Sequence, residues 1–144
     1  MTRFVLIISI LLLNFFSSVA QNADSKIEKM NISYCGDSLI TQQYELTVKN
    51  KRVYFISPFA NYLDIKGEKY RRRVKTDKRQ REKIFDCVNK IDLTSLKQIS
   101  SAEKESKYYV LEFWFTNMQT SVYKIPSKSL PSDIKEVYDA IIEK

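Results

Sequence analysis

The chain has 144 residues, with 24 Lys and Arg against 17 Asp and Glu, a formal net charge of +7 and no histidine. That length suits one domain with its own hydrophobic core. Without histidine there is no Ser-His or Cys-His pair, no imidazole base and no imidazole metal ligand, and two cysteines alone cannot complete a zinc shell.

Arg3 precedes an apolar run over residues 4–16, interrupted only by Ser9 and Asn14. Ser18-Val19-Ala20 then places small residues where a signal peptidase reads them. The run is shorter than the roughly twenty apolar residues that span a bilayer. Residues 1–20 are therefore expected to be a cleaved secretory signal peptide, 21–26 a flexible leader and 27–144 a single domain. The expected address is the periplasm or the extracellular space. Cleavage after Ala20 would leave 124 residues, a charge of +6 and no transmembrane segment.

Residues 27–34 alternate as a half-buried strand, with Met30, Ile32 and Tyr34 on one side, and Cys35-Gly36-Asp37-Ser38 punctuates the strand's end. Residues 42–49 alternate again, with Tyr44, Leu46 and Val48 on one side. Asn50-Lys51 reads as a tight turn, with Asn50 the residue suited to positive φ, and residues 52–57 return as a second hairpin arm that Pro58 stops. Residues 59–69 have no period and read as a loop. Residues 69–75 read as a short edge strand whose charges discourage edge-to-edge pairing.

Thr76-Asp77 with Gln80 forms a helix cap of the capping-box kind. The helix is expected to run to about Lys90, with Ile84, Cys87, Val88 and Ile91 on its apolar face. Leu93 and Leu96 are expected to cover its end, before a polar stretch over 100–107. Residues 108–116 form the strongest strand, with Tyr109, Leu111, Phe113 and Phe115 on one face and Tyr108, Val110, Glu112 and Trp114 on the other. A turn at 117–120 leads into a strand over 121–125, and Pro126 ends it. Pro131 opens a last helix with a stripe of Ile134, Val137, Tyr138 and Ile141, stapled by Leu130. The expected class is α+β, an antiparallel sheet of five or six strands with two amphipathic helices packed on one face, in the order β-β-β-(β)-α-β-β-α.

Cys35 and Cys87 form an even pair, which in an oxidising compartment reads as a disulfide. The bridge would close a 53-residue loop and contribute roughly 4 kcal/mol. Two separately buried thiols are the alternative reading.

The excess charge is concentrated. Residues 66–83 hold ten basic and three acidic residues, a local +7 that accounts for the whole excess. Arg71, Arg72, Arg73, Lys75, Lys78, Arg79 and Arg81 are the candidates for binding an anion or an acidic partner. Lys78, Arg79, Arg81 and Lys83 crowd the start of a helix, where the macrodipole disfavours positive charge. A helix N-terminus beside guanidinium groups suits anions; a solvated charged surface is the plain alternative. Acidic protein, polyanionic glycan and anionic membrane surface fit this charge. Nucleic acid fits the charge but not an exported address, and Tyr70 alone is a poor stacking platform.

Tyr108 and Trp114, on the sheet face away from the helices, are candidate interface anchors. The alternative is that a loop such as 59–65 folds across and buries them. Asn31-Ile32-Ser33 matches the glycosylation sequon, but it lies within an expected strand and receives no role. The only two glycines, Gly36 and Gly67, cannot build a phosphate-cradling loop. No cofactor or metal is expected. The expected function is binding rather than catalysis; the alternative is a small hydrolase using Glu112 with arginines.

Overall fold

The computed structural model describes residues 25–37, 39–57, 71–99 and 106–143. The expected signal peptide, most of the leader, the 59–69 loop, Tyr70 and most of the 100–107 stretch lie outside the described residues.

Six strands form one antiparallel sheet: β1 (Ile27–Gly36), β2 (Leu39–Thr47), β3 (Arg52–Ile56), β4 (Arg71–Arg73), β5 (Lys107–Phe115) and β6 (Thr120–Pro126). Their order across the sheet is β4-β3-β2-β1-β5-β6, so β1 is central and β4 and β6 are the edges. Among the described residues three helices follow the chain as α1 (Lys78–Asn89), α2 (Leu93–Ile99) and α3 (Ser132–Ile142), with a 3-10 turn at Ser127–Ser129. The class is α+β, as the alternation implies.

Alternation decides which side each residue faces. Met30 and Ile32 of β1, Leu46 of β2, Val53 of β3, and Leu111 and Phe113 of β5 are buried in one core with Ile84 and Val88 of α1, Leu96 of α2 and Ile134 and Val137 of α3. The helices therefore cover one face of the sheet. The opposite face carries the register row Arg73–Tyr54–Glu45–Asn31–Glu112–Val122, one residue from each strand.

Several local expectations need correction. Leu93 and Leu96 belong to a third helix, started by Asp92, whose Oδ1 accepts from Thr94 N at 2.9 Å. At seven residues it is too short to show a period. Cys35-Gly36 completes β1, and the turn falls on Asp37 (φ 50°). At the β2–β3 turn the positive φ (46°) belongs to Lys51 rather than Asn50. Asp77 does cap α1, accepting from Gln80 N at 2.7 Å. The Gln80 side chain does not return to the cap; its Nε2 donates to Ala140 O at 2.8 Å and Glu143 O at 3.0 Å, satisfying carbonyls at the end of α3. On α1, Phe85 is buried where Cys87 is half-buried.

Candidate functional site

The expected Cys35–Cys87 bridge is not formed; both thiols are free. Tyr34 contacts Tyr109 (5.0 Å between ring centres), and Tyr109 contacts Tyr138 of α3 (5.5 Å), so Tyr34 points toward the helices. Its neighbour Cys35 points the other way, opposite Tyr108 in the register. Cys87 sits in the helix layer, its Sγ donating to Glu136 Oε2 at 3.6 Å. The sheet stands between them. Burial pushes both thiols up, and at Cys87 the neighbouring Glu136 adds to the rise. The helix stripe places Cys87 on a partly apolar face, but the side of the sheet that Cys35 takes depends on strand register.

The same alternation divides the three consecutive arginines. Arg71 pairs in register with Ile56 and Arg73 with Tyr54, whereas Arg72 pairs with Phe55. Arg71 lies on the open face, where its Nη2 meets Glu45 Oε1 at 2.5 Å and its guanidinium lies 3.6 Å from the Tyr54 ring centre. Lys29 Nζ is 3.9 Å from the second oxygen of Glu45. Arg72 lies 5.8 Å from the Phe55 ring centre on the helix side. The arginine run is thus two sites rather than one patch.

Every open-face aromatic singled out by sequence carries a cation over its ring. Lys29 Nζ is 3.9 Å from the Trp114 ring centre and Lys124 Nζ is 4.0 Å from that of Tyr108. Both rings are half-buried. Cation–π contacts of this kind are worth about 0.5–1 kcal/mol at exposed sites. Each lysine covers one face of its ring. Glu112 is half-buried between them, its Oε2 accepting from Asn31 Nδ2 at 3.2 Å.

The helix side holds a groove of about 910 Å³ where β2, β3 and β4 meet the end of α3. Tyr44, Phe55 and Tyr138 line it, with Tyr44 edge-on to Phe55 (5.6 Å) and to Tyr138 (6.0 Å). Gln42 and Gln80 add amides, and the Tyr138 hydroxyl donates to Gln42 Oε1. Arg72 and Lys75 supply the cationic rim, which Arg73 borders from the open-face side of β4. Val74 N donates to Val53 O at 2.9 Å, which extends the β4 pairing and holds Lys75 beside the groove. One carboxylate, Glu143, also lines it, and that group faces Lys83 at 3.8 Å. Among the described residues no carboxylate pairs with Arg72, Arg73 or Lys75.

Burial raises the Tyr44 hydroxyl, and the charge of Arg72 partly offsets the rise. Burial also pushes Tyr138 up to about 12, helped by Tyr109, Tyr44, Tyr34 and Asp139. Both phenols are neutral donors at physiological pH. Sequence reasoning missed this aromatic wall because its rings come from β2, β3 and α3, brought together only by the sheet order.

Of the remaining basic candidates, Lys78 and Arg79 are exposed on the first turn of α1. Arg81 turns inward, donating to Thr76 O at 3.3 Å while its Nε is buried without a partner. Arg79 and Lys83 line a second concavity of about 630 Å³ with Gln80 and Glu143. Arg72 and Lys75 therefore meet at the groove, Arg73 borders it from the open-face side of β4, Lys78 and Arg79 stand nearby in solvent, and Arg71 and Arg81 are occupied by the protein itself. Among the described residues no helix is long and apolar enough to cross a membrane. Comparison with protein-family models, curated proteins and solved structures finds no match, so the site rests on its own geometry.

Proposed function

We propose that this is a small exported binding protein that captures an anionic partner at the cationic rim of the β4–α3 groove. Export rests on the apolar run over 4–16 and the small residues at Ser18 and Ala20. The observation behind the binding reading is the contrast within one strand. Arg71 is paired with Glu45, while Arg72 and, just past the strand, Lys75 border an aromatic-lined groove with no carboxylate partner among the described residues. An exposed guanidinium without a carboxylate partner among the described residues suits carboxylate, sulfate or phosphate oxygens.

The test is equilibrium binding of a sulfated polysaccharide across a salt series. Release of counterions from the polyanion gives affinity that falls steeply with salt. Substituting Arg72, Arg73 and Lys75 together by Gln is expected to flatten that dependence and remove most of the affinity. Weak, salt-independent binding by the unaltered protein would refute the proposal.

A hydrolase using Glu112 has less behind it. That carboxylate is held by Asn31 and flanked by Val110 and Trp114 on its own strand, and the arginine in its register row, Arg73, belongs to the far edge of the sheet. Turnover abolished by Glu112→Gln in a folded variant would favour it.

A further inference from the structure

We infer that β6 is a self-association edge, through which two copies of the chain join their sheets across a two-fold axis at Val122. The two sheet edges are built differently. At one edge, β4 has three residues, all arginine, which is the guarding expected of an edge that must not pair. At the other, β6 has seven residues and no charge before Lys124. Val122, on its open-face side, is 62% exposed.

The hairpin fixes which backbone groups face outward. Phe115 N donates to Gln119 O and Met118 N to Phe115 O, both at 3.0 Å, with Met118 at φ 64°. This closes the β5–β6 turn on the pair Phe115–Gln119. Hydrogen-bonded pairs then recur every second residue, at Phe113–Ser121, Leu111–Tyr123 and Tyr109–Ile125. Thr120, Val122 and Lys124 therefore direct their N–H and C=O groups away from the sheet, and Pro126, next in that series, has no N–H.

An antiparallel pairing centred on Val122 uses all three outward residues. Val122 meets Val122 of the second copy, and Thr120 meets Lys124. No like charges lie opposite each other, which a register shifted toward Pro126 or into the turn could achieve only by losing pairs. Lys124 does not guard this edge as a lysine often does, because its ammonium is held over the Tyr108 ring of its own sheet at 4.0 Å. The arginines of β4 do not oppose association. They lie five strand spacings from β6, about 24 Å, well beyond the roughly 8 Å screening length at physiological salt. The joined sheet would carry one cationic groove toward each outer end.

The test is sedimentation of protein expressed from the full sequence, diluted from its solubility limit into the low micromolar range. A dimer is expected at high concentration, dissociating reversibly on dilution. Val122→Pro removes the central outward donor at a position where an edge strand tolerates proline, and Val122→Lys sets two ammonium groups across the axis. Each is expected to be monomeric with unchanged circular dichroism. If the proline variant fails to fold, the lysine variant decides. Monomer throughout for the unaltered protein, or a dimer that survives in either folded variant, would overturn the inference.

Discussion

Arg71 and Arg72 are consecutive in the chain yet face opposite sides of the sheet, the first against Glu45 and Tyr54, the second beside Phe55 at the groove. Stability and binding should therefore separate between them. Arg71→Gln removes the closer of Glu45's two cations and the cation over Tyr54. The expected cost is about 1–2 kcal/mol, allowing for partial exposure of the pair. Arg72→Gln is expected to change stability by less than about 0.5 kcal/mol. Urea unfolding of the two variants checks the contrast; equal costs would mean that the alternation in β4 does not organise the arginines.

The free thiols give a second expectation. Protein unfolded without reductant should titrate two thiols, and finding fewer would show that Cys35 and Cys87 are bridged despite lying on opposite sides of the sheet. In the folded protein both should alkylate slowly, because burial raises each, and half-buried Cys87 should react before Cys35. While keeping an acceptor oxygen, Glu136→Gln removes the negative charge that helps hold the Cys87 thiol protonated. Its alkylation at mildly alkaline pH should quicken several-fold, with Cys35 unaffected.

Alkaline pH should loosen the aromatic wall. The Tyr138 phenol is raised in the folded state to about 12, against about 10 in an unfolded chain. A raised value stabilises the fold below the unfolded pKa, and the contribution is lost as pH climbs through the folded one. Stability should therefore decline from about pH 10 toward about pH 12, alongside a late-titrating tyrosinate signal. Tyr138→Phe should abolish that late signal and make the decline shallower. It should also cost about 1 kcal/mol at neutral pH through loss of the hydrogen bond to Gln42. An unchanged late signal would place another tyrosine in that role.

Much of the fold was legible because the strands alternate and the helices are amphipathic. Tyr109, Leu111, Phe113 and Phe115 share the helix-covered face as their spacing implies, and Asp77 caps α1. What was not legible depends on distant pairing. A Cys35–Cys87 bridge needs both thiols on one side of the sheet, but which face Cys35 takes follows from the register of β1 with β5. Tyr108 and Trp114 were recognisable as open-face aromatics. The lysines that cover them, Lys124 and Lys29, come from neighbouring strands and show no pattern of their own. The groove is the furthest from the sequence. Tyr44, Phe55, Arg72 and Tyr138 are separated along the chain, and only the β4-β3-β2 order with α3 packed beside it assembles them.

The most direct test of the binding account compares single substitutions of equal charge. On a sulfated-polysaccharide column, Arg72→Gln and Lys75→Gln should each elute at clearly lower salt than the unaltered protein, while Arg71→Gln, under conditions where it is folded, should elute close to it. Equal shifts for all three would mean that net charge alone sets retention, and would contradict a binding site at the β4–α3 groove.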